Sequence, residues 1–514
     1  MLSDIKALIV ILAIAAATFS LGKPIALKFM SPEDFSRRRL VWFVLTVMST
    51  LSPNFWLYLI FAVPLLGWAF RKDSNPIAFY LLMLQVIPEV PVKIPLMGNN
   101  GLFDLDNYRV LAFCILLPAA LRYRKNPAEA NSRAFGVMDV LLLASGVLEV
   151  ALYTPPDLPG HFLIPDSPTN ALRRAVLWGL DTYLLYFAVS RTCQTRAKII
   201  DAAAMFCLAC AVMAGVGIFE HIKGWLLYTH VATRWGTDPN AGFYLTRGDA
   251  VRAMASSGHP LALGYLLAIA SGFWLYLKTQ VQSRAYRVGV TLLLWGGLYA
   301  TSSRGPWLGS VVIYFVFNLA APGASSRFVK GTLLALAVAG VIAMTPLGDR
   351  ILQMLPIMGP SADFNILYRH RLAERGWQLV LEHPFFGDQF PWPDMEDLRQ
   401  GEGQIDMVNT YLGVALNYGL VGMSFFLSFI LIAMLRAYAR AREFAHTDPD
   451  LALFGASLVA CIMGTLVMIQ SNSFNLGLPK LFYFLAGIAT VYARTTQLPL
   501  HRAARLRPRK ARQE

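Results

Sequence analysis

The 514-residue sequence is 56% apolar and only 15% charged, which excludes an ordinary soluble domain and describes a chain built for lipid. Its net charge of +14 would suit nucleic acid, but the arginines are not gathered on one polar face. They lie in short loops between apolar runs, so no nucleic-acid partner is expected.

Taken in order, the first apolar run, residues 5–21, reads as a retained span, because no small-residue cleavage site follows it. A basic loop with Arg37, Arg38 and Arg39 leads to runs 40–50 and 56–70, which Ser52-Pro53-Asn54 divides into a hairpin. Runs 77–87, 109–121, 137–153, 174–189 and 199–218 follow. Their connections alternate between basic loops (Arg122, Arg124 and Lys125; Arg191, Arg196 and Lys198) and proline-rich ones. The first sizeable polar loop covers residues 220–259. Runs 261–277, 288–300, 307–320 and 331–344 lead to a second polar loop, 347–407. Runs 411–435, 451–469 and 481–492 then precede a basic tail, 502–512.

If that tail is cytoplasmic, nearly every arginine-rich short loop falls inside and both long loops fall outside. The expected fold is therefore all-α: a polytopic membrane protein with about fourteen to fifteen transmembrane helices. Residues 1–514 form a single membrane domain, with a long extracytoplasmic loop that contains helices. The five cysteines fall in or beside apolar runs. The Cys207–Cys210 pair has no second pair, so no metal or redox cofactor is expected.

Chemistry concentrates in the polar stretch 368–422 and the residues before it. Arg304 sits at membrane depth, where a charge costs about 2.5–3.5 kcal/mol on insertion scales and is by default functional. Ser302 and Ser303 end one helix, and Gly305-Pro306 begins the next. Free backbone N–H groups beside a guanidinium make an anion site; the alternative is an arginine reaching lipid phosphates. Farther on, Tyr368-Arg369-His370-Arg371 precedes Glu374-Arg375, with Arg371 and Arg375 one turn apart on a surface helix able to bind diphosphate or anionic lipid. In the first loop, Arg234, Arg247, Asp249 and Arg252 precede Ser257-Gly258-His259-Pro260. His259 there is either a base or a helix cap, and His383 reads as a turn residue. No glycine-rich nucleotide loop, HExxH helix or nucleophile elbow occurs, which argues against a nucleotide-driven pump.

Three landmarks, Ser303-Arg304-Gly305, Arg369 with His383-Pro384-Phe385-Phe386-Gly387, and Asn409-Thr410-Tyr411-Leu412 with Gly419-Leu420-Val421-Gly422, occur in this order. With Ser257-Gly258-His259-Pro260 they span roughly the second half of the chain, which resembles the O-antigen ligase and Wzy-type polysaccharide polymerase superfamily of bacterial inner membrane proteins. The resemblance implies transfer of a glycan from a polyprenyl diphosphate carrier at the periplasmic face, without metal, nucleotide or other cofactor. It implies a chain-length regulator and a flippase as partners, besides the bilayer and the lipid-linked glycan. Arg304, Arg369 and Asp406 would carry catalysis; Arg252, His259, Arg371, Arg375, Asn409 and Tyr411 would bind substrate. In the ligase branch a histidine precedes the asparagine of the last motif, and here Val408 stands there. That departure points to a polymerase or a divergent exopolysaccharide branch rather than a ligase proper, which stays the second enzyme reading, with Asp406 as the nearest substitute base and His370 or Glu402 as alternatives. A flippase is the rival reading, but transporters carry paired repeats and broken midplane helices, whereas this chain places its polar residues in loops.

Overall fold

The computed structural model describes residues 2–88, 90–94, 103–123, 135–152, 168–236, 246–247, 250–323, 360–389, 391–399, 405–475 and 477–494. The chain is mostly helical. Helices α1 (Leu2–Ala26), α2 (Pro32–Leu51), α3 (Phe55–Lys72) and α4 (Pro76–Met83) come first. Next are α5 (Asn107–Leu111), α6 (Leu117–Arg122), α7 (Val137–Ala151), α8 (Pro168–Trp178) and α9 (Leu184–Thr192), with π-turns Ala112–Leu116 and Gly179–Tyr183 joining α5 to α6 and α8 to α9. The second half holds α10 (Arg196–Lys223), α11 (Thr229–Arg234), α12 (Pro260–Leu277), α13 (Arg284–Ala300) and α14 (Arg304–Ala320). It ends with α15 (Pro360–Glu382), α16 (Thr410–Thr447), α17 (Pro449–Ile469) and α18 (Leu478–Arg494). Two antiparallel pairs of two residues each, Val92–Lys93 with Asp104–Leu105 and Thr246–Arg247 with Ala250–Val251, interrupt the all-α expectation.

Local sequence sets the helix ends. Ser31, Asn54 and Thr195 each accept a backbone N–H of the first turn, and Pro32 occupies the first helical position of α2. α10 stops at Gly224, whose φ of +62° closes the helix in the left-handed region. The described runs expected as spans all fall on helices; run 331–344 lies outside the described residues. Among the described residues, six helical stretches are long and apolar enough to cross a membrane by length and composition: Ser3–Ala26, Phe55–Lys72, Arg196–Lys223, Pro260–Gln280, Thr410–Thr447 and Pro449–Ile469. The chain is thus a multi-pass membrane protein. Four fifths or more of the span windows of α10, α12 and α17 are buried, against a third or less for α1, α3 and α16, so the former are the core and the latter its rim.

α10 serves as a ruler across the bundle. Asp201 near its start and Glu220 near its end lie 19 residues apart, or about 28 Å, close to the thickness of a bilayer core. At the Asp201 end, the buried Arg38 bonds both Asp201 (2.8 Å) and Asp73 (2.7 Å). At the Glu220 end the polar loops gather. α14 and α17 approach through small residues: a Cβ on Gly464 would stand 2.3 Å from Ile313, and one on Gly309 would stand 2.3 Å from Met468. That close contact carries the start of α14 to the turn that follows α17.

Candidate active site

The site is built from three segments at the Glu220 end. The first is the turn before α14. Ser302 adopts φ +48°, a left-handed conformation that non-glycine residues rarely hold. Its surroundings hold it there: Arg252 Nε donates to Thr301 O (3.2 Å), Arg252 Nη2 donates to Ser303 Oγ (2.9 Å), and Ala253 N donates to Ala300 O (3.0 Å). Glu220 anchors that strap. Fully buried, its carboxylate accepts the backbone N–H groups of Leu227 (2.9 Å), Met254 (3.0 Å) and Ala255 (2.8 Å), and Ala255 is the other described non-glycine residue at positive φ. No side chain caps the N-terminus of α14, because the Ser303 hydroxyl is turned to Thr301 O (3.0 Å). Arg304, the first residue of α14, is half-buried, and its buried Nε has no hydrogen-bond partner among the described residues.

The second segment is α15 with the strand-like residues before α16. Leu372, Leu379 and Val380 bury one face of α15 against Leu412 and Leu416 of α16. Tyr368 closes the join: its hydroxyl donates to Asp406 O (3.0 Å) and accepts from Asp406 N (2.9 Å). The third segment is the turn 471–475. Arg369 Nη2 reaches Ser471 O (3.4 Å), Thr410 Oγ1 donates to Asn472 O (2.6 Å), and Ser473 Oγ donates to Met407 O (2.6 Å) and lies 3.4 Å from Asp406 Oδ1. A Cβ on Gly305 would lie 2.8 Å from Ser471 Oγ and 3.3 Å from Asn472 Nδ2, so the start of α14 lies directly against this turn. Arg304, Arg369 and Asp406 therefore converge on residues 471–473. The charge of Arg369 acts on Arg304, on Asp406 and on Tyr265, whose buried hydroxyl has no partner among the described residues.

Electrostatics give the place its character. Among the described residues no carboxylate forms an ion pair with Arg304 or Arg369. Two guanidiniums close enough to feel each other are thus left without an ion pair, Arg369 having only the field of Asp406, an arrangement that an anion with several oxygens relieves. Burial holds the Asp406 carboxyl above the usual carboxylate range; the Ser473 hydroxyl and the charge of Arg369 oppose that shift in part. His259 is pushed down to about 4 by burial and by Arg252, so it is neutral near pH 7.

The other expected residues have different placements. His259 is the N-cap of α12, its Nδ1 accepting from Leu261 N (3.1 Å). Arg252 is buried behind the site and spent on the 301–303 turn. Asn409 caps α16 through Tyr411 N (3.0 Å) and Leu412 N (3.3 Å), while the Tyr411 hydroxyl bonds Leu466 O (2.7 Å). Arg375 donates to Asp394 O (2.9 Å) and holds the 3-10 turn Pro393–Leu398; Arg371 is exposed. His370 pairs with Glu374 (3.3 Å) on the surface of α15. Glu402, Asp249 and the side chain of Arg247 lie outside the described residues. His383 opens a turn that locks onto a break in α16: Leu420 N donates to Pro384 O (2.8 Å) and Asp388 N to Leu416 O (2.7 Å). Gly387 and Gly419, at φ +69° and +63°, meet backbone to backbone, and a Cβ on either would come within 2.2 Å of a carbonyl oxygen.

Sequence reading missed the turn 471–475 and Tyr265, and gave Tyr368 and Glu220 no role of their own. Ser471-Asn472-Ser473 is a polar run between two apolar spans, and Glu220 is a carboxylate at the end of an apolar run, so both left a signal. Tyr265 left none, being one apolar-looking residue within a span. No curated protein matches the sequence. A family model described as O-antigen ligase (Wzy_C) matches residues 289–427, an interval that contains Arg304, Arg369, Asp406 and the Gly387–Gly419 lock. The chain is a multi-pass membrane protein that carries a Wzy_C O-antigen ligase domain of polysaccharide biosynthesis over those residues.

Proposed function

We propose that this chain transfers glycan from a polyprenyl diphosphate carrier at the outer face of a bacterial inner membrane, and that it acts as a polymerase of lipid-linked repeat units. The observation that carries the reading is the pair Arg304 and Arg369, neither ion-paired among the described residues, brought together at the open N-terminus of α14 and the Ser471 turn. Two guanidinium forks and unpaired backbone N–H groups suit a diphosphate in charge and in the donors they offer. In the reaction, the acceptor hydroxyl oxygen forms a bond to the anomeric carbon of the donor glycan. The bond from that carbon to the carrier's phosphate oxygen breaks, and the bonding pair leaves with the polyprenyl diphosphate. Arg304 and Arg369 stabilise the charge that grows on that leaving group. Asp406 takes the acceptor's proton, its carboxyl standing beside Ser473 and within reach of the Arg369 field.

A ligase, which joins finished glycan to a lipid or protein, is supported by the description of the matching family; Val408 in place of a histidine favours the polymerase. Purified full-length protein in nanodiscs, given lipid-linked repeat units alone, separates them. Products longer than one unit are expected, and product formed only when a lipid A core or protein acceptor is added would establish the ligase. In intact cells, impermeant labelling of single cysteines should reach residues 250 and 385 from outside. Labelling only after the membrane is opened would overturn the proposed orientation.

A further inference from the structure

The turn 471–475 has a second side. Ser471 and Asn472 face Gly305 and Arg369, whereas Ser473, Phe474 and Asn475 line a cavity of about 800 Å³ among α7, α8, the first turns of α16, and α18. Asp406 stands in the dividing wall, bonded to Ser473 on the cavity side and felt by Arg369 on the other. The volume is at the upper end of what encloses a small-molecule ligand.

Its lining suits a sugar. Trp178, Trp392 and Tyr418 offer flat faces for the C–H side of a pyranose, and Asn417 and Asn475 offer paired donors and acceptors for hydroxyls. The lining also carries charge: three cations, Arg173, Arg174 and Lys480, against two carboxylates, Glu149 and Asp181. Arg174 pairs with Glu149 (3.2 Å). Lys480 (3.0 Å) and Arg109 (2.7 Å) share the carboxylate of Asp181, and the buried Asp106 is close enough to act on both cations. Arg173, by contrast, has no carboxylate partner among the described residues and is the lining cation left to meet an anionic ligand. The contrast is with a cavity among α1, α10 and α13, lined almost wholly by aliphatic and aromatic side chains, which offers a sugar almost nothing to bond.

We infer that the cavity receives the acceptor glycan, selects one bearing a carboxylate, and reads that carboxylate with Arg173. The inference rests on the transferase reading and adds to it the location and charge of the second substrate. Donor diphosphate and acceptor sugar then lie on opposite sides of one wall, with the proton acceptor in the wall.

The test is a binding measurement on purified full-length protein in phosphatidylcholine nanodiscs, using hexagalacturonate as the acidic probe and maltohexaose as the neutral one. Hexagalacturonate should bind about tenfold or more tightly than maltohexaose. Arg173→Gln should abolish that preference, Trp392→Ala should weaken both probes, and Arg304→Lys should change neither. Equal affinity for the two probes, or loss of acidic binding in Arg304→Lys with retention in Arg173→Gln, overturns the inference. Transfer assays on the same preparations keep the two readings apart. Binding as expected with no transfer from lipid-linked donor would count against the transferase alone, and transfer without probe binding would count against the cavity alone.

Discussion

Arg38, Arg191 and Arg196 live in circumstances opposite to those of Arg304 and Arg369. At the Asp201 end of α10 these three guanidiniums are matched by carboxylate: Arg38 by Asp73 and Asp201, Arg191 by Asp139 (2.7 Å), Arg196 by Asp448 and Asp450. At the Glu220 end, Arg304 and Arg369 have no such partner among the described residues, and the nearby buried carboxylate, Glu220, is spent on backbone N–H groups instead. The same residue type therefore fastens helices at one end and holds an empty place for an anion at the other. A half-buried charge left unmatched, as on Arg304, costs folding energy, and it persists where a ligand makes use of it; Arg369 is exposed and bears no such cost.

Substitutions tell the two kinds of arginine apart. Arg38→Ala should have the largest effect. It strands two carboxylates that are almost wholly buried, a loss of about 3–5 kcal/mol, so the protein should fail to accumulate or melt far below wild type in detergent. Next is Asp406→Asn, expected to cut transfer about 100-fold or more. Folding raises the Asp406 carboxyl above its unfolded value, so the ionised form is disfavoured in the fold and stability falls as pH rises through that window. The asparagine variant should therefore match or exceed wild-type thermal stability near pH 7. Wild-type transfer should decline as pH falls toward the raised carboxyl, and a flat profile there would remove Asp406 as the base.

Arg304→Lys keeps the charge but loses the fork, and should slow transfer about 100-fold with an unchanged melting temperature. A melting shift as large as that of Arg38→Ala would show that Arg304 is a fastener after all. Gly419→Ala puts a methyl within 2.2 Å of Phe385 O at a positive φ, and should cost about 1–3 kcal/mol and loosen α15 from α16, read as faster proteolysis of residues 360–399. Arg375→Ala should do least. Its bonds to Asp394 O and Gln378 are exposed, so under about 1 kcal/mol of stability and a near-normal transfer rate are expected.

Much of the fold was legible because lipid demands one solution. Apolar runs of spanning length must be helical, and proline, asparagine and serine mark their starts, as at Pro32, Asn54 and Asn409. The site was legible where a residue was costly for its surroundings, as Arg304 is. It was misread where helical spacing alone argued: the shared face of Arg371 and Arg375 is real, but the buried stripe of Leu372, Leu379 and Val380 turns that face outward, and Tyr368 makes the join to Asp406. The pairing of Gly387 with Gly419 depends on which backbones touch, which no local pattern encodes.

The turn 471–475 has a consequence in time. A chain made at roughly 5–20 residues per second exposes Arg304 on the order of 8–33 s before residue 471 is synthesised. Until then the first turn of α14 lacks its Ser471 neighbour, and Arg369 of α15 has no Ser471 carbonyl to reach. The nascent protein thus cannot close a diphosphate site while earlier helices are still entering the membrane. Competence would arrive in one late step, so a chain interrupted before α17 is an inserted helical bundle with no capacity to seize the lipid carrier.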